Sequence, residues 1–142
     1  MIDFRRMREL IKAEERLHWA LLKERSKATK ITTSLSKNGG GGRGRTSSRV
    51  EDGAIALAII QEEYDQVSDE LKRQRKELRG KLKRLTERER TIIRMRYIGG
   101  ISCRQIAEDM HYDKFYMHSL IRIAENRILE MQDADNNTNS SQ

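Results

Sequence analysis

The stretch GGISCRQIAEDMHYDKFYMH, residues 99 to 118, holds the chain's single cysteine and two of its three histidines beside a glycine pair. Thiols and imidazoles are the side chains that bind zinc or act as nucleophiles, so any chemistry should be sought here first. The spacing argues against a metal. C-x7-H-x6-H matches no usual finger, and Cys103, His111 and His118 supply three ligands where a closed structural site uses four. Cys103 falls at the first position of an expected helix, where a thiol can become more acidic, but a lone cysteine there is also simply a tolerated small residue. The acids are scattered over helix faces beside basic neighbours, so no catalytic centre, metal or cofactor is expected.

A run of four glycines in ITTSLSKNGGGGRGRTSS, residues 31–48, is a second place where chemistry could reside. A phosphate-cradling loop would need Lys-Ser or Lys-Thr close behind the glycines and a strand ahead of them, and neither is present. Gly, Ser, Thr and Asn in this proportion make a flexible linker instead.

The elements around these stretches are helical by pattern. There is no proline in 142 residues, 36% of them are apolar and another 36% charged, which suits amphipathic helices burying one stripe each. Phe4, Met7, Ile11, Leu17 and Leu21 recur at helical spacing, broadened by Leu10, Trp19 and Leu22, and predict an N-terminal helix over residues 1–30. Ser48 and Glu51 have the spacing of a capping box that opens a long charged helix over 49–84. Leu57, Ile60, Tyr64, Val67, Leu71, Leu78 and Leu85 give that helix a coiled-coil-like seam, with Gly80 as a weak point where it bends or ends. These two helices are expected to fold back on each other as a hairpin, or to pair between chains in a homodimer. An antiparallel pairing would bring Arg5, Arg6 and Arg8 towards the basic run KRQRKELRGKLKR at 72–84, which costs energy unless something answers it.

Residues 85–131 change character. Thr86 with Glu89, and Ser102 with Gln105, repeat the capping-box spacing, Gly99-Gly100 supply a tight turn, and Asp113 can cap a last helix. At 100° per residue Met117, Ile121, Ala124 and Ile128 fall in one narrow arc. Phe115, Ser119, Arg122 and Asn126 lie opposite, with Lys114 and His118 at the edge. A short capped helix, a tight turn and a longer helix with a polar outer face describe a three-helix, helix-turn-helix domain. The closing segment QDADNNTNSSQ, residues 132–142, is small and polar and reads as a disordered tail. The expected fold is all-α: a long helical hairpin or coiled coil, then the helix-turn-helix.

Charge points to the partner. The chain carries 29 Lys and Arg against 22 Asp and Glu, a net charge of +7 and a pI near 9.8, a balance that favours a polyanion. The charge is uneven: residues 51–70 hold seven acids and no base, residues 71–84 eight bases and one acid. The run at 72–84 serves equally as a solvated helix face or as a phosphate contact. No apolar run suits a signal peptide or a membrane span, and the single cysteine fits a reducing compartment, so a cytoplasmic, nucleoid-associated protein is expected.

LTERERTIIRMRYIGGISCRQIAEDM, followed by a helix ending in IRIAENRIL, resembles region four of bacterial sigma factors and the related LuxR-type motif. With ATKITTSLSKNGGGG at 28–42, the whole chain resembles small phage- and prophage-encoded regulators of ArpU-like type. The resemblance implies a sequence-specific regulator that binds double-stranded DNA at promoters together with host RNA polymerase. It implies that Arg104 and Gln105 touch backbone phosphate, and that Lys114, Phe115, His118, Ser119 and Arg122 read bases or phosphates, with Asn126 on the same face. His111 stands where that motif usually has glycine, and Leu120 and Ile123 stand at two often-basic positions, making an apolar flank with Tyr116. The alternative expectation is a module that binds RNA polymerase or a sigma factor without reading DNA.

Overall fold

The computed structural model describes residues 1–37 and 46–140. Their regular structure is entirely helical. Helix α1 spans Phe4–Lys37 and α2 Thr46–Lys81, and a single 3-10 turn, Leu82–Arg84, follows. Helix α3, Glu87–Ile93, runs into a wider π turn, Arg94–Ile98, before α4 at Cys103–Met110 and α5 at Lys114–Ser140. Among the described residues no helix is long and apolar enough to cross a membrane.

Several boundaries differ from the sequence expectation. The flanks of the predicted linker are helical: residues 31–37 continue α1 and residues 46–48 open α2, while 38–45 lie outside the described residues. Helix α2 thus starts two residues ahead of Ser48, which is not its cap. Helix α2 ends at Lys81, one residue after Gly80, and the 3-10 turn begins at Leu82.

The chain divides into two compact units, one of residues 12–70 and one of residues 1–11 with 71–142. In the first, Ala13, Arg16, Leu17 and Ala20 line a groove with Glu63, Gln66 and Val67, and Arg25 donates to the Gln61 side chain at 3.3 Å. Numbers rise on one helix as they fall on the other, so the segments run antiparallel. Leu21 is the one buried apolar side chain described in this unit. Trp19 and Leu22, expected on the apolar stripe, are exposed, as are Ile55 and Ile59.

The second unit holds the main core. Phe4, Met7 and Leu10 of α1 are buried, as are Leu71, Leu78 and Leu85 of the predicted seam and Leu82 beside them. Ile92, Ile106, Ala107, Met117, Leu120 and Ile121 make one apolar cluster, joining α3, α4 and α5. Leu120 is thus core, not flank, while Tyr116 and Ile123 remain exposed.

Local chemistry sets the turns. Thr86 and Ser102 each accept the N–H of the third following residue, Glu89 and Gln105, through their hydroxyls. Neither forms a complete capping box, because Glu89 turns to Arg127 and Gln105 to Asp109. Asp113 accepts the N–H groups of Phe115 and Tyr116, at 3.0 and 3.3 Å, and so starts α5. Helix α4 ends at His111 in the left-handed conformation, φ 60°, with Tyr112 N–H on the Ala107 carbonyl and His111 N–H on the Glu108 carbonyl. That pair of bonds is a Schellman motif, which glycine usually completes.

The predicted disordered tail is also corrected, since α5 continues to Ser140. Gln132 is 5% exposed, and its amide pairs with both main-chain groups of Ile2: Ile2 N–H donates to Oε1 at 2.7 Å and Nε2 donates to the Ile2 carbonyl at 3.4 Å. Asp135 meets Lys81 at 2.9 Å and Arg84 at 3.6 Å, and the Lys81 hydrogen bond draws its carboxyl below the usual range. Composition marks a segment as too polar to fold, but one matched amide and one matched carboxylate suffice to dock it.

Two substitutions test these junctions. His111→Gly relieves a left-handed non-glycine residue and should raise unfolding stability by roughly 0.5–1 kcal/mol in urea melts; an unchanged midpoint would mean that the turn stores no strain. Gln132→Ala leaves buried Ile2 main-chain groups unpaired and should lower stability by about 1–3 kcal/mol, with amide exchange rising first in residues 1–7.

Candidate functional site

Helix α5 has one buried and one open side. Met117, Leu120, Ile121, Ala124 and Ile128 face the core, and Lys114, Phe115, His118, Ser119, Arg122 and Asn126 are all exposed. Phe115 is 79% exposed, an unusual state for a phenylalanine, whose burial ordinarily stabilises the fold. Among the described residues Lys114, His118, Arg122 and Asn126 engage no hydrogen-bond or ion-pair partner, while Ser119 Oγ donates back to the Phe115 carbonyl at 3.2 Å. Arg104 and Gln105 are exposed on α4, each turned to an acid one turn on: Arg104 to Glu108 at 3.5 Å, Gln105 to Asp109 at 2.8 Å. Tyr116 packs edge-on to Tyr112, with 5.6 Å between ring centroids.

Beside this face a cleft of about 490 Å³ opens between α5, the π turn, the start of α4 and the first turns of α1. His118, Ser119 and Arg122 contribute one wall, and Arg8, Arg96 and Glu125 the others. Sequence reasoning did not find Arg8, Arg96 or Glu125 as site residues. Arg8 lies 117 positions from Glu125, and no local pattern signals such a meeting.

Tyr97 forms the floor. Its ring is fully buried, 4.9 Å from the Phe4 ring, and its hydroxyl donates to Glu125 while accepting from Arg8 Nη1 at 2.9 Å. Arg8 Nη1 also reaches Glu125 Oε1 at 3.2 Å. The Tyr97 carbonyl accepts Arg75 Nε at 2.8 Å, and the Arg96 guanidinium stands 5.7 Å from the ring centroid. The π turn brings this about by closing Gly99 N–H on the Arg94 carbonyl, 2.8 Å, five residues back. A Cβ at Gly99 would stand 3.0 Å from the Met95 carbonyl oxygen, a tight contact, and Gly100 sits at φ 67°, which favours glycine. Burial first, then the Glu125 carboxylate, pushes the Tyr97 phenol far above its ordinary range.

Cys103 lines the cleft but is buried and unpaired in a disulfide, and burial raises its thiol despite the opposing pull of Arg96 and Lys114. A reactive, acidic thiol is therefore not what this position provides. Among the described residues no three His, Cys, Asp or Glu side chains gather where a metal could be held. The basic run at 72–84 is divided in use. Arg75 serves Tyr97, Lys81 and Arg84 serve Asp135, and Arg79 and Lys83 line a smaller concavity with Arg90 and Arg94. Arg5 and Arg6 lie within 3.7 Å of Glu9, and the amino terminus within 3.0 Å of Glu77, so local acids answer the repulsion that antiparallel pairing threatened.

A family model described as a protein of unknown function, DUF1492, matches residues 30–130. The chain belongs to the DUF1492 family. The DUF1492 segment takes in the eight expected contact residues together with Arg96, Tyr97 and Glu125, whereas Arg8 precedes it. No curated protein and no solved structure matches the chain.

The phenol gives a direct check. A tyrosine whose folded pKa is raised costs nothing below the ordinary value near 10 and destabilises the fold progressively above it, because only the unfolded chain ionises freely. In an alkaline titration followed by phenolate absorbance, Tyr97 should ionise only as the fold opens, a step missing from Tyr97→Phe. That variant should also lose roughly 1–3 kcal/mol at neutral pH. Identical titration curves for the two proteins would contradict the buried hydrogen bond.

Proposed function

We propose that this DUF1492 chain is a sequence-specific, DNA-binding transcription regulator of phage or prophage type, acting at promoters with host RNA polymerase. In this reading α4, the His111–Asp113 turn and α5 are a helix-turn-helix, and α5 enters the major groove of double-stranded DNA. The observation that carries it is the outer face of α5 from Lys114 to Asn126. There, Lys114, His118, Arg122 and Asn126 are exposed without internal hydrogen-bond partners beside a largely exposed phenylalanine, and the one carboxylate of the span, Glu125, is tied to Tyr97 and Arg8. Arg122 and Asn126 are types that hydrogen-bond base edges, and an exposed aromatic ring can contact a thymine methyl. Glu130 and Asp133 return to that face further on, so the groove would take the first three turns of α5 and exclude the rest.

Arg104 and Gln105 would meet the backbone by exchanging their acidic neighbours for phosphate oxygens. The antiparallel segments of α1 and α2 form a hairpin arm, and a homodimer through them would cover Trp19, Leu22, Ile55 and Ile59. A second reading rests on Tyr116 and Ile123, whose exposure beside Phe115 suits a protein partner such as RNA polymerase or a sigma factor bound without DNA reading.

A mobility-shift assay on fragments of the phage or host promoter region, at moderate salt, separates the two. The first reading expects preference for particular fragments, reduced by about 1–3 kcal/mol in Arg122→Ala. No preferred fragment, together with co-purification with polymerase, would replace it with the second.

A further inference from the structure

The cleft beside α5 has a chemistry of its own. Three arginines and a histidine face a volume of about 490 Å³, and the one carboxylate among its lining residues is already occupied. Glu125 is held through Oε1 by the Tyr97 hydroxyl and by Arg8, and its side chain is only 16% exposed, so it offsets the charge of Arg8 and leaves that of Arg96 and Arg122 uncompensated. The arginines are not used up. Arg8 engages its neighbours through Nη1 alone, Arg96 through one Nη1 bond to the Ile101 carbonyl at 3.4 Å, and Arg122 through none. Planar guanidinium forks held at fixed positions around a concavity match the several oxygens of a tetrahedral phosphate better than they match a single carboxylate oxygen. The Tyr97 floor holds Arg8 in place, so the site is built before a ligand arrives, which lowers the ordering cost of binding.

We propose that the cleft walled by Arg8, Arg96, Arg122 and His118 is a phosphate-binding site, in which Arg8 and Arg96 grip an oxyanion at the edge of the face that α5 presents. The ligand chemistry is a phosphate group with free oxygens. Its source is either a backbone phosphodiester of duplex DNA or a free inorganic or monoester phosphate. Only the first source rests on the DNA-reading function proposed above. In that case the N-terminal segment, through Arg8, is part of the nucleic-acid surface, and truncating it would weaken binding to all sequences alike.

The test uses the full chain with two probes. Inorganic phosphate is titrated into the isotopically labelled protein while arginine Nε–H resonances are followed, and a random-sequence duplex is titrated over a series of salt concentrations. Arg96→Gln removes one grip while leaving the hydrogen bonds of the Tyr97 hydroxyl to Arg8 and Glu125 in place, Arg8→Lys keeps the charge but loses the fork, and Arg5→Gln controls for the loss of any surface charge. Saturable phosphate shifts at Arg8 and Arg96 are expected, abolished in Arg96→Gln and weakened in Arg8→Lys. Duplex affinity should fall three- to tenfold in Arg96→Gln with the log-log salt slope flatter by about one unit, and stay near wild type in Arg5→Gln. A response to phosphate with no duplex binding by any variant upholds the cleft with free phosphate as its ligand, and it is the DNA reading that falls. Absence of phosphate shifts, with duplex affinity and salt slope unchanged in Arg96→Gln, overturns the site.

Discussion

A phenol hydroxyl sealed from water must donate and accept hydrogen bonds within the protein, and Tyr97 meets that demand with partners from distant parts of the chain. Arg8 from α1 and Glu125 from α5 meet at the hydroxyl, and Arg75 from α2 donates to the main-chain carbonyl of the same residue of the π turn. Removing a partner would leave a buried polar group unsatisfied, which costs more than the hydrogen bond contributes. The interaction therefore fixes where α5 stands relative to the first turns of α1 and the end of α2. Both faces of the functional proposal depend on it, the outer face of α5 directly and the arginine cleft through Arg8.

Charge in this unit is sorted by position more than by amount. Lys81 and Arg84 are matched to Asp135, Arg127 to Glu89 at 2.8 Å, and Arg5 and Arg6 to Glu9. Lys114 and Arg122 on α5 and the open edges of Arg8 and Arg96 stay uncommitted on and beside the outer face of α5, as Lys72, Arg73 and Lys76 do on α2.

Features governed by near neighbours were legible in the sequence. Asp113, Ser102 and Thr86 act as helix caps because a cap is decided within three residues, and the inner arc Met117, Ile121, Ala124 and Ile128 follows from helical geometry. Features set by distant partners were not. The docking of 132–140 depends on an amide of Gln132 meeting the main chain of Ile2, 130 positions away, and polar composition hides it. Leu120 reads as flank because it stands at an often-basic position of the resembled motif, and the packing of α3 and α4 draws it into the core instead. Trp19 and Leu22 failed in the opposite sense, since an apolar stripe is buried only where a partner helix covers its full width. The cleft was invisible for the same reason as Tyr97, as its walls come from four separate elements.

In the proposed function the outer face of α5 is where the molecule meets duplex DNA. Amide chemical-shift mapping of the full chain during titration with promoter DNA tests it most directly. The account predicts perturbations concentrated at residues 114–126 and at the first turn of α4, fading beyond Glu130. Perturbations confined to residues 12–29 and 51–70, or none at all at saturating duplex, would contradict it.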